Sequence, residues 1–243
     1  MKSYLFDVDG TLTEPMKKMD ESFVFEFLTW MEGKSVFIVS GSNIEKIQKQ
    51  LPSDVLDLCD GIFCSMANEF WQGGNLIYRN EFEPDIWLTE ELIRFQMYTP
   101  FPVRVKRNGR GDIIERRPGM INFAPIGRNA DMQERERYYE WDQKNGERAR
   151  VAKQIERKFP ALEARIGGQI SVDIQPRGHN KSQATKWIRK NIGGEMTYFG
   201  DKCFEGGNDY DVVLDLAKHK DGVFFQIKNH KETRKLLACD GIA

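Results

Sequence analysis

Residues 4–13 read Tyr4-Leu5-Phe6-Asp7-Val8-Asp9-Gly10-Thr11-Leu12-Thr13, a strand-like apolar run that breaks into two aspartates and a glycine. Strand side chains alternate faces, so carboxylates two apart can emerge on one side as the strand runs out into a loop. Like charges this close repel, and the pair Asp7 and Asp9 therefore points to a divalent cation and to a nucleophile beside an acid/base group. Gly10 lets the backbone turn sharply there. A plain turn also favours Asp and Gly. A calcium loop would need further acidic ligands and a closing Glu, which Leu12, Pro15 and Met16 do not supply.

Outward from this stretch, Phe23, Phe27, Trp30 and Met31 recur at helical spacing, and Gly33 stops that helix before the strand Ser35-Val36-Phe37-Ile38-Val39. Ile44, Ile47 and Leu51 mark a second helix ended by Pro52, and Gly61-Ile62-Phe63-Cys64 a further short strand. This alternation predicts a Rossmann-like parallel sheet with helices on both faces. Open parallel sheets bind ligands beyond the carboxyl ends of their strands, where Asp7, Asp9 and the Ser40-Gly41-Ser42 turn would sit.

From about residue 81 the order becomes α+β. A helix near 89–97, alternating segments over 103–124, a very charged helix over 131–159 and a strand at 170–174 are expected. Then the first pattern returns, with a helix over 182–192, a strand at 196–199 ending in Gly200-Asp201, and strands near 212–216 and 223–227. The reading is an α/β core, residues 1–80 and 180–243, interrupted by an α+β cap at 81–179.

Composition narrows the partners. With 36 basic and 37 acidic residues the formal charge is -1, which gives no overall pull toward nucleic acid or an anionic membrane. Cys59, Cys64, Cys203 and Cys239 have neither the density of a disulfide scaffold nor the spacing of a zinc site, and read as reduced cytoplasmic thiols. Met1-Lys2-Ser3 leads straight into the first strand, so no signal peptide is expected, and no apolar run approaches a membrane span.

Further residues carry chemistry. Asp201 follows a strand as Asp7 does, and Gly206-Gly207-Asn208-Asp209 follows it, a loop able to supply oxygen ligands to Mg²⁺. Ser40 and Ser42 each offer a hydroxyl to a phosphoryl oxygen, and the residues alone do not choose between them. Lys181, just before a helix, can neutralise charge on phosphate and nucleophile. Arg117 and Arg128 flank residues 118–127 and Arg135 lies on the next helix, three guanidiniums suited to bidentate phosphate contacts. Ser171 and Asp173, two apart on a predicted strand, share a face that can meet sugar hydroxyls.

The string DVDGTLT resembles the phosphoryl-transfer motif of the haloacid dehalogenase superfamily, in which the first Asp becomes an aspartyl phosphate. Together with INFAPIGRNA, MQERERYYEWDQKNGER, IGGQISVDIQPRGHNKSQA and FGDKCFEGGNDYDV, it resembles the eukaryotic-type phosphomannomutases, a cap-bearing branch of that superfamily. The resemblance implies Asp7 as nucleophile, Asp9 as acid/base, and Mg²⁺ held by Asp7, the Asp9 carbonyl and the Asp201, Asn208 and Asp209 loop. It also implies Arg117, Arg128 and Arg135 on the non-reacting phosphate, Ser171 and Asp173 on the sugar, and Lys181 beside the nucleophile. A hexose 1,6-bisphosphate activator, a cytoplasmic homodimer joined through the cap and a place in GDP-mannose supply are implied too. The chain departs from the family where Met16-Lys17-Lys18 replaces an expected Arg, and where Ala67-Asn68-Glu69 replaces Glu-Asn-Gly. The rival reading of the same core is a Mg²⁺-dependent sugar-phosphate phosphatase, since water can attack the same aspartyl phosphate. A sugar-phosphate-binding or scaffold protein on this fold is the non-enzymatic alternative.

Overall fold

The structure is a computed structural model that describes residues 2–103 and 113–239. β1 (Lys2–Phe6) runs through the Asp7–Thr13 loop into α1 (Glu21–Met31), which Asp20 caps by accepting the Phe23 N–H and which buries Phe23, Phe27 and Met31. Next come β2 (Ser35–Val39), α2 (Ile44–Gln50), α3 (Ser53–Leu58) and β3 (Gly61–Cys64). β4 (Glu69–Gln72) and β5 (Asn75–Arg79) form an antiparallel hairpin.

The middle of the chain holds α4 (Ile86–Tyr98), β6 (Ile114–Arg117), β7 (Met120–Phe123), α5 (Met132–Asn145), α6 (Glu147–Lys158), β8 (Leu162–Gly167) and β9 (Ser171–Pro176). The last stretch holds α7 (Ser182–Asn191), β10 (Glu195–Gly200), α8 (Tyr210–His219), β11 (Gly222–Gln226) and α9 (His230–Leu237). By internal contacts the chain divides into Met1–Arg79 with Gly178–Ala243, and Asn80–Arg177.

The first unit is a seven-stranded sheet in the order β11-β10-β1-β2-β3-β4-β5. Its first five strands are parallel, as the alternation predicts, and the β4–β5 hairpin extends it antiparallel. Helices cover both faces because Tyr4–Phe6 of β1 and Val36–Val39 of β2 are apolar and buried at consecutive positions, and consecutive side chains alternate sides. Phe6 and Ile38 pack with Phe23 and Phe27 of α1, Ile47 of α2, Val55 of α3 and Leu237 of α9. Leu5, Phe37 and Val39 pack with Ala184 and Ile188 of α7 and Val212 and Leu216 of α8.

The second unit is a four-stranded antiparallel sheet, β6-β7-β9-β8. Ile121, Phe123, Val172 and Ile174 pack with Leu88 and Leu92 of α4 and Val151 and Ile155 of α6. Alternation therefore turns Asn122 and Asp173, which pair in register, to the opposite face.

Two expected elements differ. The charged helix over 131–159 is two helices, because Gly146 takes the left-handed conformation (φ 65) that ends α5 and starts α6. The expected strand at 212–216 is helical: residues 212–216 lie inside α8, whose buried positions Val212, Asp215 and Leu216 have helical spacing. Of the expected alternating segments over 103–124, residues 104–112 lie outside the described residues, while β6 and β7 account for much of the remainder.

Candidate active site

β10, β1 and β2 are neighbours in the parallel sheet, and each is followed at its carboxyl end by a polar residue: Asp201, Asp7 and Ser40. The Asp7 N–H still donates to the Phe199 carbonyl at 2.9 Å, and the Ser40 N–H to the Phe63 carbonyl at 2.8 Å, so both side chains stand on rigid strand ends. Gly10 is required twice over. Its φ is 85, and a Cβ there would lie 2.6 Å from Asp201 Oδ2.

Lys181 precedes α7 and is fully buried. Its Nζ donates to Asp7 Oδ1 and to Asp209 Oδ1, each at 2.7 Å. Asp209 sits at the N-terminus of α8 but does not cap it. Its carboxylate instead accepts the Tyr198 hydroxyl at 2.6 Å and the Lys202 N–H at 3.0 Å besides Lys181. Burial pushes Asp209 upward, but the Lys181 charge and these donors outweigh it and hold the carboxyl below its ordinary range. Asp7 goes the other way: burial, reinforced by the Asp209 charge, exceeds the pull of Lys181 and raises it to about 7. Burial also raises Asp201.

Carboxylate oxygens of Asp7, Asp201 and Asp209 lie within 4.8 Å of one another. The buried ammonium of Lys181 meets Asp7 and Asp209, Asp201 has only the half-exposed Lys202 Nζ at 3.9 Å, and two buried oxygens, Asp201 Oδ1 and Asn208 Oδ1, have no hydrogen-bond donor. An excess of negative charge with acceptors left over fits a hard cation such as Mg²⁺. Asp209, with its oxygens taken by protein donors, fits the role of holding Lys181 better than that of a direct ligand.

This balance sets a pH dependence for the metal-free protein. In the unfolded chain Asp7 has an ordinary carboxyl value of 3.8, against about 7 when folded. Between those values the folded state holds the extra proton, so Asp7's contribution to stability is lost as pH rises from about 4 through about 7. The melting temperature without Mg²⁺ is expected to fall over this window, less so in Asp7→Asn, and Mg²⁺ is expected to restore it. A pH profile identical in the parent and in Asp7→Asn would exclude this account.

Asp9 does not join the cluster. Its Oδ2 accepts Lys46 Nζ at 2.6 Å, and its Oδ1 accepts Gln50 Nε2 at 2.8 Å and the Met16 N–H at 2.7 Å. Burial alone would raise this carboxyl, but those donors pull it below its ordinary range. The structure thus separates two carboxylates that alternation alone would place together. Lys46 and Gln50 escaped the sequence reading, although their spacing of four on α2 puts them on one face. Ser40 is buried, and its Oγ accepts the Ser42 N–H at 3.1 Å, leaving the hydroxyl hydrogen to donate. Ser42 contributes backbone to this turn, its carbonyl accepting the Ser65 N–H at 2.8 Å.

On the polar face of the second unit, Arg117 Nη2 donates to Glu115 Oε2 at 2.7 Å, and Arg128 Nη2 lies 3.1 Å from the same oxygen. Arg128 Nη1 donates to Asn122 Oδ1 at 3.0 Å, and Asn122 Nδ2 donates to Asp173 Oδ1 at 2.5 Å. Arg135 is drawn to backbone instead: Nε donates to the Ala130 carbonyl at 2.8 Å and Nη2 to the Arg128 carbonyl at 2.6 Å, bracing the Arg128 loop. Ser171 Oγ donates to the Gly167 carbonyl at 2.7 Å, so only its oxygen is left to accept. Glu115, Asn122 and Tyr198 are further site residues the sequence reading passed over. For the first two the signal was alternation in β6 and β7.

A family model described as eukaryotic phosphomannomutase matches residues 24–239. The chain is 35% identical over 222 residues to the phosphomannomutase of Saccharomyces cerevisiae, covering 87% of this chain and 84% of that protein. It is 32% identical over 243 residues to phosphomannomutase 1 of Dictyostelium discoideum, covering 96% and 94%. Among solved structures it resembles a haloacid dehalogenase-like hydrolase from Bacteroides thetaiotaomicron, with TM-score 0.62 and 12% identity over 98% of each chain. It also resembles a sugar phosphatase of haloacid dehalogenase subclass IIB, with TM-score 0.57 and 16% identity over the whole of both chains. At these identities the structural likenesses establish the fold alone.

Proposed function

The chain belongs to the eukaryotic phosphomannomutase family of enzymes, and on that footing we propose that it interconverts mannose 6-phosphate and mannose 1-phosphate through an aspartyl phosphate on Asp7. The observation that carries the reading is the buried Lys181, 2.7 Å from both Asp7 and Asp209, beside two donor-less oxygens on Asp201 and Asn208. Such a site holds a phosphoryl group and a cation together at a carboxylate nucleophile.

Asp7 Oδ attacks a phosphate of a hexose 1,6-bisphosphate and the sugar oxygen leaves with a proton from protonated Asp9, giving phospho-Asp7 and a hexose monophosphate. In the reverse sense, a sugar hydroxyl attacks phospho-Asp7 as Asp9 accepts its proton, and the Asp7 carboxylate is released. When the bisphosphate reacts through its other end, the isomer is formed and Asp9 returns its proton to the departing sugar oxygen. Lys181 offsets charge on Asp7 throughout, and Ser40 offers its hydroxyl hydrogen to a phosphoryl oxygen. Asp7 and Asp201, with Asn208 and the Asp9 carbonyl, would hold Mg²⁺, which would supply electrostatic stabilisation of the transferring phosphoryl oxygens.

Arg117 and Arg128 are the candidates for the phosphate that is not reacting, since both already converge on one anionic oxygen. Arg135 acts by fixing the Arg128 loop, while Asp173 and the Ser171 oxygen face the sugar. Two phosphate positions favour a mutase over a phosphatase. With mannose 1-phosphate, Mg²⁺ and catalytic glucose 1,6-bisphosphate, mannose 6-phosphate is expected without inorganic phosphate. Release of phosphate with no isomer would establish the phosphatase instead.

We also read the enzyme as a cytoplasmic homodimer joined through the cap. Among the described residues no helix is long and apolar enough to cross a membrane, and the described cysteines are free thiols. Supporting self-association, α4 leaves Ile86, Trp87, Ile93, Met97 and Tyr98 exposed. Light scattering is expected to give twice the chain mass, and a monomer for Trp87→Asp with Met97→Asp. A monomeric parent would end that reading.

A further inference from the structure

Glu115 and Arg117 stand two apart on β6 and so share a face, which the register Glu115–Asn122–Asp173 carries across the sheet. On that face one oxygen, Glu115 Oε2, is shared by Arg117 Nη2 at 2.7 Å and Arg128 Nη2 at 3.1 Å. A carboxylate oxygen between two guanidiniums stands where an oxygen of a bound phosphate would be recognised. The group is open to ligand: the side chains of Glu115, Arg117 and Arg128 are 40%, 36% and 28% exposed.

We propose that Glu115 is a built-in competitor for phosphate at the Arg117–Arg128 pair, which weakens the pair's grip on a phosphate monoester so that a bisphosphate can release it and present its other end. The proposal rests on the reading that this pair holds the non-reacting phosphate. A partly exposed ion pair is weak, so a dianion displaces the carboxylate at small cost. Without the carboxylate, two adjacent guanidiniums would bind a dianion tightly in every state of the reaction. Binding that is equally strong throughout lowers KM and does not raise kcat. For a mutase it also slows the exchange of ends on which turnover depends.

Glu115→Gln keeps the size and the acceptor and removes the charge. Titrated with inorganic phosphate in Mg²⁺-free buffer, it is expected to bind about fivefold more tightly than the parent. KM for hexose phosphate is expected to fall while kcat falls with it, a split that a merely structural role does not produce. Glu115→Ala is expected to shift phosphate binding in the same direction. Unchanged or weaker phosphate binding in both variants would overturn the proposal, because Glu115 would then only hold the arginines in place. Arg117→Ala and Arg128→Ala test the underlying reading separately. If both bind phosphate as the parent does, the pair is not the phosphate site and the proposal falls with it. If both lose binding while Glu115→Gln fails to gain it, the reading stands and only the competitor role is lost.

Discussion

Replacing Asp7 with asparagine is expected to lower turnover by at least about 10⁴-fold while leaving the fold as stable as the parent or more so. An amide oxygen is a far poorer nucleophile toward phosphorus than a carboxylate, and loss of a covalent nucleophile typically costs several orders of magnitude. Stability is expected to hold because Asp7 is buried beside Asp209, and those two features already push its carboxyl up to about 7. Asparagine is neutral from the start, and its oxygen still accepts from Lys181 Nζ, now 2.7 Å from Asp7 Oδ1. The variant is expected to take no label from a bisphosphate carrying radioactive phosphate. Asp9→Asn is expected to take the label and to pass it to a sugar slowly, because its loss removes the proton acceptor and not the nucleophile. Near-normal turnover in Asp7→Asn would remove Asp7 from the mechanism. Labelling of Asp7→Asn equal to the parent would place the phosphoryl group on another residue.

Lys181→Met is expected to damage both stability and chemistry. Lys181 is fully buried and is the cation shared by Asp7 and Asp209. Methionine fills much of the same space but leaves two buried carboxylates facing each other, and breaking a buried pair from one side costs about 3–5 kcal/mol. Denaturant unfolding without metal is expected to show a loss of this order, partly recovered on adding Mg²⁺. Turnover is expected to drop about 10²- to 10³-fold, as when one preorganised charge is removed from a developing phosphoryl anion. Arginine is not expected to rescue, since a planar guanidinium cannot place one donor nitrogen between Asp7 Oδ1 and Asp209 Oδ1 as the ammonium does. An unfolding midpoint equal to that of the parent would show that the two carboxylates do not depend on Lys181.

The core was legible where local pattern and tertiary role coincide. β1, α1, β2, α2 and β3 carry clean apolar spacing, and each lies where the spacing puts it. The hairpin β4–β5 was missed although Gly73-Gly74 between two short runs is a hairpin turn signal. Val212-Val213-Leu214 has the β-branched composition of a strand. What makes it helical is its setting, with the loop through Asp209 anchored on Lys181 and Val212 and Leu216 buried against α7. The charged segment over 131–159 shows one continuous polarity, and only the left-handed Gly146 divides it.

From the sequence alone come the residue types at the strand ends, Asp7, Ser40 and Asp201, and the polar side of β6, β7 and β9, because alternation along a strand is a local property of the backbone. Partnership was decided by tertiary structure. Lys181 meets Asp7 across 174 residues, Asp9 turns to Lys46 and Gln50 on α2, and Arg135 is drawn to carbonyls of the Arg128 loop while Arg117 and Arg128 share Glu115. Periodicity sets the direction in which a side chain leaves its own element. What it meets there depends on sheet order and register, which bring distant segments together only when the whole apolar core packs.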